Sequence, residues 1–577
     1  MATAKVNNNE HPPKADLRRK MAEYPLPVIT PGTIDPALMI GNEPTKQARI
    51  VLDAFNAAVA VNDAQALENC FFSTQAYWRD QLALTYHLRT FTTPASIAAS
   101  FLETKRLRAV KDGMELDAEA HFIPVTPVLQ FIDCSITFRT VSPAALCRGR
   151  MVLLPVKTTL DNGTETVQWK IWALATWIES LDLQPEDKTL LELPRRELDG
   201  LNTFETDVFI IGAGNSAVSL AARLKTLGVD SVMIDRNAHP GDNWALRYDC
   251  MKFHIPTSFC HLPFMNYDDE LLAPHLLTRD ELAEQVRRYI ATFHLNLINS
   301  ATTQSTVYDK STKRWLVTFK TPTGQATAVA KHLVQATGIG SQKPYLPAMK
   351  DEGLYKGISL HSASYKNATE LRDKGVKTVL IIGSANTAFD ILEDCHASRL
   401  PTVTMVVRSP TYLIPISYIT NPHSLAAYDN MPLAVADAQY LTLPAFIDGQ
   451  LGASMFRHLA TEGDEPARYA ALAKAGFPVI DSAHPDGVLT HYLLERAGGH
   501  YVDTGGVRLI EEGKVGVKAG TEPVGWTADG VRFKDGSVVG ADAVVWCTGF
   551  ADRDASGVAG EVMGGDGDGE KGEMGGM

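Results

Sequence analysis

The residues best suited to chemistry fall in two glycine turns. The first turn lies in DVFIIGAGNSAVSLAARLKTLGVDSVMIDR, residues 207–236. Gly212, Gly214 and Ala217 follow a G-x-G-x-x-A spacing, with Ala213, Asn215 and Ser216 between them. Gly212 permits a tight turn, Gly214 lets the backbone approach a pyrophosphate, and Ala217 is small enough for a helix to pack on a strand. A bound anion would rest on the free N–H groups of the helix N-terminus, where the helix dipole also favours it. Asp235, about 20 residues on, is placed to accept hydrogen bonds from ribose hydroxyls. Those roles require a buried strand at Asp207–Ile211, a helix at Asn215–Leu227 and a second strand at Ser231–Asp235.

The second turn lies in VKTVLIIGSANTAFDILEDCHASRLPTVTMVVR, residues 376–408. Gly383, Ser384, Ala385, Asn386, Thr387 and Ala388 repeat the pattern, but Ala385 replaces the second glycine, and its methyl should hinder close approach of a pyrophosphate. The second strand ends in Arg408-Ser409 rather than in an acid. An arginine there can pair with the 2′-phosphate of NADP, whereas an acid would select NAD. Two such units, one closed by an acid and one by an arginine, imply hydride transfer from NADPH to FAD.

Between and beyond the turns, family motifs become specific. Downstream of Asp235, HPGDNWALRY contains Gly241, Asp242 and Trp244, similar to a stretch that runs along the flavin in two-dinucleotide flavoproteins. The run YKGISLHSASY carries Tyr355, Gly357, His361 and Tyr365. It resembles the F-x-G-x-x-x-H-x-x-x-[FYW] fingerprint of class B flavin monooxygenases. Ending in Tyr365-Lys366, it is similar to the flavin-containing, N-hydroxylating and YUCCA-like groups rather than to the Baeyer–Villiger enzymes. Two threonine-glycine turns, Ala336-Thr337-Gly338 and Cys547-Thr548-Gly549-Phe550, resemble the linkers of the same fold. The resemblance implies that NADPH reduces FAD and that a flavin hydroperoxide then transfers one oxygen atom of dioxygen to a small organic substrate. No protein nucleophile is implied, and no catalytic residue is assigned; His361 is expected to organise the linker. In the family the flavin domain continues well past the last threonine-glycine turn, whereas 27 residues follow Phe550 here; the resemblance implies either a truncated or mis-spliced version or a site without its C-terminal part. The residues from Thr411 onward are expected to help shape a substrate pocket.

The first ~200 residues carry no phosphate signature. Helical periodicity around Thr45–Asn69 and in SIAASFLETKRLRA is followed by strand-like runs, with Asp161-Asn162-Gly163 suited to a hairpin turn. Helices followed by an antiparallel sheet give an α+β layer. With the segment AYWRDQLALTYHLRTF, this region resembles the NTF2-like (SnoaL-like) domain found ahead of fungal YUCCA-like flavin monooxygenases. The resemblance allows a ligand cone or a homodimer face. Trp78, Arg79 and Asp80 either line such a cone or form a buried tryptophan beside a structural ion pair.

The expected order is a disordered segment 1–44, an NTF2-like domain 45–195, a first FAD-binding segment 205–345, an NADP-binding domain 346–485, a second FAD-binding segment 486–552, and a disordered glycine- and acid-rich tail 553–577. The fold class is therefore an α+β NTF2-like domain followed by α/β two-dinucleotide-binding domains. A net charge of −13 argues against nucleic acid as partner. No apolar run is long enough to span a bilayer, and the N-terminus lacks a signal-peptide core, so a cytoplasmic location is expected. The seven cysteines form no C-x-x-C pair and have no zinc spacing, which argues against a disulfide reductase and a metal site. A Baeyer–Villiger enzyme, or a degenerate flavoprotein serving as a binding module, stays open as an alternative.

Overall fold

The computed structural model describes residues 16–563 apart from 160–162, 164, 199, 201, 339, 341 and 464. The chain divides into two compact units, one made of residues up to 186 with 431–455, the other of 187–430 with the residues from 456 onward.

In the first unit, helix Glu43–Val61 buries Ala48, Val51, Leu52, Phe55, Ala58 and Val59 along one stripe, the three- and four-residue spacing of a core-facing helix. Its partner is a seven-stranded sheet in the order Leu88–Thr92, Tyr77–Gln81, Glu165–Leu181, Ala144–Thr159, Leu129–Val141, Lys111–Leu116, with His121–Thr126 also paired to Leu129–Val141. The two longest strands pair antiparallel from Ala145↔Leu181 to Thr159↔Glu165. The turn expected at Asp161–Gly163 falls largely outside the described residues. Trp78 is fully buried, stacks on Phe91 with centroids 4.7 Å apart, and donates from Nε1 to the Thr176 hydroxyl at 2.9 Å. Asp80 is also fully buried, and its carboxylate accepts from Leu84 N–H, Thr85 N–H and the Thr85 and Thr176 hydroxyls. Arg79 instead donates to the Leu443 carbonyl at 3.1 Å. The three residues thus pack the sheet and fasten the loop after Gln81, and the bonds formed are not an Arg79–Asp80 ion pair.

In the second unit, a six-stranded sheet runs in the order Leu297–Ile298, Ser231–Ile234, Thr203–Ile211, Gly324–Gln335, Arg314–Thr321, Thr302–Asp309. Its first four strands are parallel and the last two form an antiparallel meander. A five-stranded, all-parallel sheet runs in the order Ile358–His361, Ala543–Trp546, Thr378–Ile382, Thr402–Val407, Gly516–Ala519. Its central strands are continuous apolar runs, as burial on both faces demands.

Three expected segments gain structural detail. Residues 486–552, expected as a second FAD-binding segment, contribute Gly516–Ala519 and Ala543–Trp546 to this second sheet. Ala543–Trp546 is buried throughout, and a central position between two parallel strands covers both of its faces. Within 1–44, helix Leu17–Glu23 is capped by the Asp16 side chain and buries Leu17 and Met21, while Ile29 N–H bonds to Val128 O; the apolar residues spaced among its charges suffice to anchor it. The tail begins with helix Ala555–Met563, whose Val562 packs on the core of the first sheet of this unit; residues 564–577 and 1–15 lie outside the described residues.

Replacing Asp80 with Ala strips four hydrogen bonds from a dry site and should lower the unfolding free energy of the first unit by about 3 kcal/mol. Urea unfolding followed by tryptophan fluorescence measures this; a loss below about 0.5 kcal/mol, the range of an ordinary surface change, would show that the carboxylate does not hold the loop.

Candidate functional site

Both glycine turns are built the same way. Gly212 has φ +111°, and a Cβ on it would lie 2.3 Å from Ala336 O. Gly383 has φ +131°, and its Cβ would lie 2.5 Å from Cys547 O. Each turn therefore runs tight against the end of the neighbouring parallel strand, and both those strands lead into a threonine-glycine turn. Backbone bonds fix the crossing: Ala336 N–H donates to Ile211 O at 2.8 Å, and Cys547 N–H to Ile382 O at 2.8 Å. Gly338 and Gly549 each take φ +75°, where glycine avoids the cost a Cβ incurs. Thr337 accepts from the Gln335 amide at 3.1 Å, and the Thr548 hydroxyl donates to Tyr345 O.

The two following helices, Asn215–Thr226 and Asn386–Ala397, start without a side-chain cap. Helix Arg279–Thr292, by contrast, has a complete capping box. The orphan N–H groups and positive dipole ends of the uncapped helices form a cradle for an anion such as a pyrophosphate. At Gly214, only Asn243 Nδ2, at 3.6 Å, approaches an added Cβ, so the cradle is open. Ala385, at φ −95° and ψ −175°, matches Gly214, at φ −80° and ψ −174°. Both conformations are extended and open to any residue, so the backbone does not require glycine at 385; only the methyl's bulk distinguishes the second turn.

In the first turn, Asp235 accepts from Ala213 N–H at 2.9 Å and Asn237 N–H at 2.8 Å. Each carboxylate oxygen keeps a lone pair for a ribose hydroxyl. Trp244 donates from Nε1 to Asn215 Oδ1 at 3.0 Å and packs edge-on against Phe253, which brings its indole to the first turn of the helix. Gly241 sits where a Cβ would strike Ala283 O at 2.4 Å, so its lack of a side chain permits this close helix approach. The donor set fits an adenine dinucleotide.

In the second turn, the Ser384 and Thr411 hydroxyls bond at 2.6 Å, and Asn386 Oδ1 accepts from Val502 N–H at 2.9 Å. Arg408 and Ser409 are exposed at the strand end. Arg408 has Glu522 at 3.9 Å and a side chain 70% exposed, so it is accessible to a phosphate.

The 355–365 fingerprint acts as a strap. Tyr355 stacks on Trp526 at 4.6 Å and donates to Ala541 O. Tyr365, buried, donates to Asp394 on the second helix. His361 Nδ1 accepts from Ala363 N–H at 3.1 Å, so the opposed Nε2, 3.0 Å from Gly549 O, is the protonated nitrogen. Burial, helped by nearby Arg247 and opposed by the Gly549 carbonyl, depresses its pKa. Sequence patterns pointed to none of the tie made by Asp390. It accepts from the Tyr248 hydroxyl at 2.7 Å and faces His254 Nε2 at 3.1 Å. Burial opposes charging His254, but Asp390 keeps its pKa above the ordinary value. The available signal was an acid on the buried stripe of helix Asn386–Ala397. Among the described residues no cluster could hold a metal, and no helix is long and apolar enough to cross a membrane.

Two glycine-turn units, each a strand, a tight turn and an uncapped helix, thus lie on the two α/β sheets of this unit. Residues 206–419 match the family model for pyridine nucleotide-disulphide oxidoreductases. The chain is 27% identical over 251 residues to the probable indole-3-pyruvate monooxygenase YUCCA10 of Arabidopsis thaliana, covering 43% of this chain and 63% of that protein. It is 26% identical over 353 residues to the indole-3-pyruvate monooxygenase YUCCA1 of Oryza sativa subsp. japonica, covering 60% and 77%. The match thus spans 63% of the first relative and 77% of the second. Among solved structures, a flavin-containing monooxygenase from Stenotrophomonas maltophilia shares 19% identity at a TM-score of 0.39, covering 60% of this chain and 78% of that one. The open crystal structure of cyclohexanone monooxygenase shares 20% at 0.43, covering 61% and 74%. The sequence likeness thus runs to the YUCCA indole-3-pyruvate monooxygenases, at 26–27% identity.

Because burial depresses the pKa of His361, the unfolded chain binds a proton below about pH 6.5 that the folded ring refuses. Its contribution to stability is present above that pH and declines as pH falls. His361→Gln, which keeps a donor for Gly549, should flatten the fall in melting temperature between about pH 6.5 and 5 relative to the parent; identical slopes would show that His361 is not held neutral.

Proposed function

We propose that the chain is an FAD-dependent, NADPH-using monooxygenase that inserts one oxygen atom of dioxygen into a small organic substrate. The observation that carries this reading is the presence, in one unit, of two uncapped glycine-turn helices, one followed by Asp235 and the other by the exposed Arg408. The first turn, Gly212 to Ala217 with Asp235, would hold FAD, with Trp244 beside the helix start. The second, Gly383 to Thr387 with Arg408 and Ser409, would hold NADPH. Bound FAD supplies the redox and oxygen chemistry, so no protein nucleophile is required. The protein binds, orients and excludes water. His361 has both ring nitrogens engaged and positions the Thr548-Gly549 turn rather than moving a proton.

The same reading takes residues 45–195 as an NTF2-like domain, on the order of its helices and its long antiparallel sheet. Its cytoplasmic location and its homodimer contact through that domain rest on the sequence pattern. Indole-3-pyruvate, the acid named in the YUCCA relatives, is the first substrate to try.

FAD-supplemented protein should show a flavin absorption band that NADPH bleaches without oxygen. Readmitted oxygen should then yield oxygenated product in step with NADPH consumed. A colourless protein that takes up no FAD, or turnover that yields only hydrogen peroxide with every substrate tried, would refute the reading.

Arg408→Ala should raise the KM for NADPH about tenfold or more, the worth of one charge-assisted phosphate contact, and leave that for NADH within about twofold. Equal effects on both would remove Arg408 from the 2′-phosphate.

A further inference from the structure

Neither glycine turn contributes to a recess of about 510 Å³ lined by Tyr418, Leu459, Gly463, Glu465, Ala467 and Arg468. Its size suits a small molecule. Glu465 is 2% exposed, and its Oε1 accepts from Ser482 N–H at 2.9 Å. Its other oxygen, Oε2, is buried without a hydrogen-bond partner of normal geometry. Burial raises the Glu465 pKa, against the opposing pull of the Ser482 N–H and the neighbouring Tyr418 hydroxyl. A buried carboxylate oxygen that lacks a well-formed hydrogen bond is costly, and native structures nearly always complete such a group. One turn further on, Arg468 is half exposed, and its guanidinium comes no closer than 4.0 Å to Asp503. The recess is therefore lined by a buried acceptor, Glu465, and an accessible cation, Arg468, which begin and end one short helix, together with apolar Leu459 and Ala467.

We propose that this recess binds a small zwitterion, with its ammonium on Glu465 Oε2 and its carboxylate on the Arg468 guanidinium. An ammonium brings three donors, enough for Oε2 and the Tyr418 hydroxyl, and its charge favours the ionised acid. A planar guanidinium receives a carboxylate through two parallel bonds. A dicarboxylate would place an anion against Glu465, and a simple amine would leave Arg468 without a partner in the recess. The assignment is independent of the dinucleotide sites.

The test is calorimetric titration of the full-length protein with glycine, β-alanine, 4-aminobutyrate and 6-aminohexanoate, whose charged ends lie progressively further apart. Butyrate and butylamine, each carrying one end only, serve as controls. One member of the series should bind saturably at one site per chain and raise the melting temperature, and both controls should bind at least about tenfold more weakly. Glu465→Gln keeps the acceptor for Ser482, and Arg468→Ala alters a half-exposed residue; because Arg468 also stands 4.0 Å from buried Asp503, the folding of each variant is checked by its melting temperature. Each should weaken the best ligand by about tenfold or more. The proposal is overturned if no zwitterion in the series binds, if either one-ended control matches the best of them, or if either folded variant binds as tightly as the parent.

Discussion

The architecture of the second unit depends on one steric constraint, the crossing of each glycine turn beneath the carbonyl end of the adjacent strand. At Gly212 and Gly383 a β-carbon would come within 2.3 and 2.5 Å of a backbone oxygen. No side chain fits such a gap, and the positive φ at both positions adds to the exclusion. The tight turn starts the next helix directly off the strand end and leaves its first N–H groups uncapped. It also fixes which strand lies alongside, because the contacting carbonyls belong to Ala336 and Cys547. Helix orientation, strand order and the placing of the threonine-glycine turns are thus consequences of one contact made twice.

This constraint explains what was legible in the sequence. The helix expected at Asn215–Leu227 runs Asn215–Thr226, and the strand expected from Asp207 begins four residues earlier, at Thr203. The glycine spacing and the apolar run of each strand encode local geometry, which a single sequence displays. The allocation of Ala543–Trp546 was not legible, because an all-apolar parallel strand carries no mark of the sheet it joins. Strands Tyr77–Gln81 and Leu88–Thr92 were likewise hidden. Their alternation is interrupted by the loop that Asp80 fastens, and those bonds come partly from Thr176, far along the chain. At Ala385 the backbone is extended and tolerant, so the sequence difference there comes down to the bulk of one methyl.

The polar groups buried around the turns act by holding position. His361 ties its strand to Gly549, Tyr365 ties the strap to Asp394, and Asp390 ties Tyr248 and His254 to the second helix. Each joins elements far apart in sequence, and each replaces water with a protein partner, without which burial would be costly. His361 and Tyr365, the motif residues among them, are thus engaged in structural bonds.

The two turns differ in how much of their ligand-binding apparatus is already fixed. Asp235 is braced by two backbone N–H groups, so on the proposed reading its carboxylate is oriented before a ribose arrives and binding loses little side-chain freedom. Arg408 is a long, exposed side chain whose ionic neighbour stands 3.9 Å away, so the proposed phosphate would have to order it and compete with Glu522. On the proposed reading this asymmetry matches the duties of the two sites. A cofactor that stays through many turnovers gains from a preorganised acid, whereas a reductant that must leave after each hydride transfer gains from a contact that forms and breaks at modest cost.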